Sequence, residues 1–337
     1  MPSVILHTMF GEDVFFALRA VFPVEKISGG LRGAFVLGCQ GPDIFYHSQR
    51  SRPVALEYGS LLHRRGFGVY AANLLKTTLS GAETDANSAY SLGFMTHAAL
   101  DRACHPYIIY RGGNYHSFFE RILDALMLKK LRGLEPASWD QEIALASVCE
   151  NPPPGLKEII AASLAETFPE RAGKDRSLAR RIDNAFIDCA RFYNMSSPSK
   201  IAGAFRAGSN EKRPVFTRRA LNYVYPENLP AEIDFLNLNR KPWRYPHISA
   251  GGKIPQDDNR SFPEIYSDAV NSAAASFAPC FVTLSGGTFP FDEIVEKIGN
   301  GGLSIQDENG KRCSPNLTDP LPLEEVMKQQ AMFRGVE

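Results

Sequence analysis

The sequence predicts an all-α protein built as a multi-helix bundle, on two observations. Apolar residues recur at three- and four-residue spacing over long stretches, and alternating strand patterns bounded by turn pairs are nearly absent. The first stripe is Val14, Phe15, Leu18, Val21 and Phe22, which Pro23 ends. A second periodic stretch runs from Asn87 to Cys104, and the spacing predicts that Pro106 closes it. Tyr115 to Leu131 and Ser177 to Tyr193 follow, the latter carrying Leu178, Ile182, Ala185, Phe186, Cys189 and Phe192. Three more lie at Phe262–Phe277, Phe291–Ile298 and Leu323–Phe333.

Two stretches lack regular periodicity. Pro198 to Arg213 is rich in Ser, Gly and charge and reads as a connection. Leu236 to Arg260 carries Trp243, Tyr245, several prolines and the pair Gly251-Gly252. A loop that long inside a compact domain is functional or wraps the surface. No internal repeat or low-complexity tract is present. The expected organisation is one all-α domain over 1–337, with a core in 1–135 and helical completion in 136–337.

Composition narrows the function. The 337 residues hold 37 Lys+Arg against 37 Asp+Glu, which argues against a surface wholly built for nucleic acid or anionic membrane. With 44% hydrophobic and 22% charged residues, the chain is not wholly disordered. No run of 18 apolar residues exists, so no transmembrane helix is expected. The start, Met1-Pro2-Ser3-Val4, lacks a basic segment and a small-residue cleavage site, so it does not read as a secretory signal. Six scattered cysteines without a CxxC pair read as reduced thiols, and the expected location is cytoplasmic.

The informative feature is where the histidines fall. Of seven, six lie in the first 116 residues: His7, His47, His63, His97, His105 and His116. His97, Asp101 and His105 are four apart, so they share one helix face with Cβ atoms about 5–6 Å from one another. Three ionisable groups on one line of an otherwise apolar helix cost desolvation energy unless something compensates. A divalent cation does so, and imidazole with carboxylate suits zinc. His116 and Glu120 repeat the spacing, with Asn114 as the expected N-cap of their helix. Upstream stand Asp43 in a Gly41-Pro42-Asp43 turn, His63 after Leu61-Leu62, and His7 in an apolar helix start. His47 and His247 read as core histidines.

Competing motifs are missing. No HExxH, His-Asp dipeptide, GxSxG, GxxxxGK[ST] or GxGxxG occurs. Gly251-Gly252-Lys253 lacks P-loop spacing and reads as a turn.

The ordered set Asp43, His63, His97-x3-Asp101, His105 and His116-x3-Glu120 resembles the zinc-dependent phospholipase C family, an all-α family related to the P1/S1 nucleases. The Trp243 segment is similar to one in cytosolic bacterial members. The resemblance implies two or three zinc ions. His63, His97 and Asp101 would hold one, and His105, His116 and Glu120 a second. Asp101 would bridge to a third that His7 completes, and Asp43 would be a ligand or the general base. Secreted members ligate the third ion with a freed N-terminal Trp, whereas here Met1-Pro2 precedes His7.

The implied activity is hydrolysis of a phosphodiester, in a phospholipid head group or a related small molecule, by metal-activated water. Tyr46, His47, Arg64 and Arg65 are the nearby candidates for substrate contact. A nuclease or nucleotide phosphatase on the same scaffold is the alternative enzyme, with nucleic acid the less favoured partner. A non-catalytic, metal-stabilised binding protein is the other alternative. Six positive charges from three zinc ions against Asp43, Asp101 and Glu120 would make a cationic pocket in a neutral chain.

Overall fold

The computed structural model describes residues 3–79, 85–201, 223–247, 257–307 and 309–333. Among them are twelve α-helices and one two-residue strand pair, so the chain is all-α. The first six helices are α1 (Val4–Ala17), α2 (Arg32–Cys39), α3 (Leu56–Leu62), α4 (Phe67–Leu79), α5 (Asp85–Gly112) and α6 (His116–Arg132). The remainder are α7 (Gln141–Glu150), α8 (Leu156–Thr167), α9 (Leu178–Ser196), α10 (Phe262–Ser285), α11 (Phe291–Ile298) and α12 (Leu323–Phe333). One continuous hydrophobic core runs from Val4 to Ala331.

Helix α5 is the axis of the fold. Its 28 residues span about 42 Å, and it packs against α1, α2, α4, α6 and α10. Its buried residues lie all round rather than on one stripe, as expected of a helix enclosed by others. The closest of these packings is with α2, and glycine makes it possible. A Cβ on Gly38 would lie 2.0 Å from the Tyr90 carbonyl oxygen, and one on Gly93 would lie 2.2 Å from that of Phe35. The two backbones therefore touch where any side chain would hold them apart.

Proline behaves differently from its expected role as a terminator. Pro106 lies inside α5, which runs on to Gly112. Tyr107 and Ile108 beyond it are buried, and their packing offsets the hydrogen bond that proline cannot donate. Pro279 likewise sits inside α10. At the start, α1 ends at Ala17, and Leu18 to Phe22 form turns rather than the last stretch of a helix. Asn114 does not cap α6. It lies in a 3-10 turn over Gly113–Tyr115, and the N-cap residue is Tyr115, with no side-chain hydrogen bond.

The irregular stretch after Leu236 is partly ordered by Trp243. Trp243 and Arg244 (β1) pair antiparallel with Asp258 and Asp257 (β2). The Trp243 ring is buried edge-on against Tyr107, and its Nε1–H donates to the Arg260 carbonyl at 3.2 Å. Gly251-Gly252-Lys253 and much of 198–213 lie outside the described residues. Helix α10 then opens on a capping box, Ser261 with Glu264, and a proline in its first turn.

A buried polar network ties α1 to α6 and α7. The Asp124 carboxylate of α6 accepts from Ser3 Oγ (2.8 Å) and from the backbone N–H groups of Ile5 (3.3 Å) and Leu6 (2.9 Å), capping α1 from outside. One turn back on α6, Arg121 donates to Glu142 Oε1 of α7 at 2.6 Å, with both side chains wholly buried. Tyr225 O–H donates to the same Glu142 oxygen at 2.8 Å. Glu142→Ala would leave the Arg121 guanidinium buried without its counter-ion. It is expected to lower stability by about 3–5 kcal/mol, read from chemical unfolding.

Candidate metal centre

The site grows from three local structures. Helix α2 ends at Cys39, and the chain turns through Gly41 with φ +54° into a 3-10 turn over Gly41–Phe45 that carries Asp43. That positive φ suits glycine, and a Cβ there would lie 2.3 Å from the His97 ring. Helix α3 ends beside His63, its C-cap residue. Helix α5 supplies His97, Asp101 and His105 on one face, as their spacing predicts.

Asp101 lies at the centre. Its carboxylate is 3.2 Å from His7 Nε2, 3.2 Å from His97 Nε2, 3.7 Å from His105 Nε2 and 3.9 Å from His63 Nε2. His63 is closer to Asp43, at 3.0 Å, and His105 Nε2 is 3.4 Å from Glu120 Oε1. The rings of His7 and His97 stack with centroids 4.1 Å apart. Donor atoms converge in two groups, His7 with His97 and Asp101, and Asp43 with His63 and His97. His97 belongs to both.

Backbone carbonyls fix the tautomers. The Nδ1–H of His63 donates to the Gly59 carbonyl at 2.8 Å, that of His97 to Cys39 at 3.1 Å and that of His105 to Leu303 at 3.1 Å. A carbonyl can only accept, so in each ring Nδ1 carries hydrogen and Nε2 faces the carboxylates. This is the orientation that metal-bound imidazole takes when a second group holds its far nitrogen.

The donor set fits zinc. His63 Nε2, His97 Nε2, Asp101 Oδ2 and Glu120 Oε2 are buried atoms with no hydrogen-bond partner among the described residues. Four such atoms together are costly unless a cation satisfies them. For His63 Nε2, His97 Nε2 and Asp101 Oδ2 the separations from neighbouring donors, 3.0–3.9 Å, are close to those of ligand pairs around tetrahedral zinc at about 2.0–2.1 Å.

Electrostatics agree with this reading. Burial pushes His7 down to about 4 and also lowers His63. Both rings are therefore neutral, as ligands must be. For Asp43 and Asp101, burial works against ionisation but is outweighed by positive charge around them, foremost His105 at Asp101, which holds both carboxyls well below the usual range. His105 differs: burial is overcome by Asp101 and Glu120, which raise the ring to about 9, so without metal it is protonated and must give up a proton to serve as a ligand.

The remaining histidines separate into distinct roles. His116 starts α6, is half-buried, and places Nδ1 3.3 Å from the Gly113 carbonyl. The Glu120 carboxyl is held below its usual range against burial mainly by His105, and His116 forms no ion pair with it among the described residues. His47 stacks on Phe192 at 4.0 Å, with burial taking it down to about 3, which is the behaviour of a core histidine. His247 is half-buried next to β1.

Tyr46 lies between His63 and a nearby cavity. Its ring centroid is 4.8 Å from that of His63. It also lines a cavity of about 980 Å³ with Leu56, Ser60, Leu61, Arg64 and Phe168. Arg64 and Arg65 are exposed there. The carbonyls of Cys39, Gly59 and Leu303 had no signal in the sequence, because every residue carries a carbonyl.

All six cysteines are free thiols, and five are buried. No helix of the described residues is long and apolar enough to cross a membrane. No curated protein and no solved structure matches the chain. The family model described as zinc dependent phospholipase C matches residues 7–177, just over half the chain and the span that holds every candidate ligand from His7 to Glu120. On that match, and with an all-α fold around a buried histidine and carboxylate cluster, the chain belongs to the zinc-dependent phospholipase C family.

Proposed function

We propose that the chain hydrolyses a phosphodiester of a phospholipid or related amphiphile, using two or three zinc ions. The observation that carries this reading is the Asp101 carboxylate within 4 Å of four imidazole Nε2 atoms. His7, Asp43, His63, His97, Asp101, His105 and Glu120 would hold the ions, with His116 joining Glu120. Bound zinc supplies a water of pKa about 7 in place of about 15.7 and polarises the phosphoryl oxygens.

The protein's own groups do the rest. Asp43 stays ionised at neutral pH and can orient or accept the proton of the attacking water. The Nδ1 hydrogen bonds of His63, His97 and His105 hold their rings fixed while charge develops on the phosphate. Burial of the cluster keeps bulk water from weakening these interactions.

The cavity beside Tyr46 supports an amphiphilic substrate over a nucleotide. Its walls combine Arg64 and Arg65 with Val54, Leu56 and Leu61, while Arg171 is paired there with Glu57 and Glu170 adds an acidic group. An anionic phosphate group with an apolar leaving portion matches that mixture. The continuous core from Val4 to Ala331 supports reading the chain as one domain.

Turnover of bis-aryl phosphodiesters and of phosphatidylcholine vesicles tests the proposal. Chelation is expected to abolish hydrolysis and to lower the thermal midpoint, and stoichiometric zinc should restore both. Zinc-loaded protein that cleaves neither these substrates nor phosphomonoesters would leave only the binding-protein reading. Preference for phosphomonoesters would favour the nucleotide phosphatase.

A further inference from the structure

The family-matched span ends at residue 177, yet the metal centre makes hydrogen bonds with a segment more than 100 residues further on. Helix α11 ends at Ile298, and Gly299-Asn300-Gly301-Gly302-Leu303 then crosses the loop between α3 and α4. Gly66 N–H donates to the Asn300 carbonyl and Gly68 N–H to the Gly299 carbonyl, both at 3.1 Å. Leu303 ends the crossing fully buried, donating its N–H to the His63 carbonyl at 3.1 Å and accepting from His105 Nδ1–H at 3.1 Å. One residue thus touches two candidate ligands, one through each of its backbone groups.

Arg102 holds this segment. It follows Asp101 on α5, and its guanidinium donates to four carbonyls from Ile298 to Gly302, all but that of Asn300. Nε reaches Gly302 at 3.1 Å, Nη2 reaches Gly299 and Gly301 at 3.1 Å, and Nη1 reaches Ile298. These include the last carbonyls of α11, which lack partners within the helix and attract a cation. Gly299, at φ +79°, brings its backbone against the planar fork, where an added Cβ would lie 3.4 Å from Nη1, and a lysine ammonium cannot reproduce that fork.

We propose that Arg102 is a positioning residue for the metal centre. By clamping the carbonyls from Ile298 to Gly302, it fixes Leu303, and Leu303 sets the tautomer of His105 and the place of His63. The inference rests on the zinc reading above and adds to it that the site is completed by a segment outside the family-matched span.

The test compares Arg102→Met, Arg102→Lys and His105→Ala in the full chain by competing zinc against a chelator and by recording the d–d spectrum after cobalt substitution. Loss of a group that orients a ligand costs about 10–100-fold in metal affinity. Arg102→Met is expected to show that loss, together with a changed cobalt spectrum. Arg102→Lys, able to meet fewer carbonyls, should fall between it and wild type. His105→Ala should lose more than either.

Wild-type zinc affinity and an unchanged cobalt spectrum in both Arg102 variants would overturn the inference while His105→Ala still lost metal. Full zinc binding by His105→Ala would instead overturn the ligand reading beneath it. If Arg102→Met does not fold, Arg102→Lys decides alone, and wild-type affinity there counts against the proposal.

Discussion

Asp101→Asn is expected to release at least one zinc ion per chain and to lower phosphodiester hydrolysis by more than about 100-fold, a larger effect than loss of an outer-shell partner. The substitution keeps the shape of the side chain and removes its charge. Four imidazole nitrogens now face that carboxylate, at 3.2 to 3.9 Å, and no second acid lies close to all of them. Asp43 lies against His63, and Glu120 against His105. With asparagine at the centre, His7 and His97 face an amide that cannot bridge two cations. Metal analysis of the purified variant gives the answer directly. An unchanged zinc stoichiometry would remove Asp101 from the ligand set.

The second large effect comes from a residue with no side chain. Gly93→Ala is expected to destabilise the metal-free protein by about 3 kcal/mol, at the upper end of ordinary overpacking, because the obstacles are backbone atoms. The new methyl would meet the Phe35 carbonyl oxygen at 2.2 Å and the Cys39 nitrogen at 2.8 Å, and neither can rotate away. Helices α2 and α5 must separate, with Gly38 in the same contact. Such a loss is a large part of the 5–15 kcal/mol that holds a typical domain together. The damage also reaches the site. His97 lies one turn beyond Gly93, and its Nδ1 bond to the Cys39 carbonyl spans the same pair of helices. Chemical unfolding and a zinc titration should therefore both respond. A variant with wild-type stability would show that the helices tolerate a wider spacing.

What could be read in the sequence follows from how local each signal is. His97, Asp101 and His105 declare themselves because four-residue spacing is a property of a single helix, and the structure keeps them on one face of α5. Asp43, His63 and His7 needed the resemblance, since nothing local links a turn, a helix end and a helix start. Helices α4, α7 and α8 gave no clear periodic signal, being short or interrupted by polar residues such as Asn73, Thr77 and Thr78 in α4. Pro106 misled because a terminator rule is local, whereas the burial of Tyr107 and Ile108 is tertiary. Arg102 was invisible for a related reason. Its partners are backbone atoms almost 200 residues away, and no side-chain pattern encodes them.

The distance between those partners has a consequence for synthesis of the chain. A ribosome makes about 5–20 residues each second, N-terminal part first. His7 emerges early, while the carbonyl that orients His105 belongs to Leu303. The nascent protein therefore carries its imidazoles and carboxylates for many seconds before the last wall of their pocket exists. During that interval the proposed ligands lack the hydrogen bond that Leu303 gives His105. On the proposed zinc reading the site is complete only after Leu303 has been made and packed, so tight metal capture would mark a nearly finished chain.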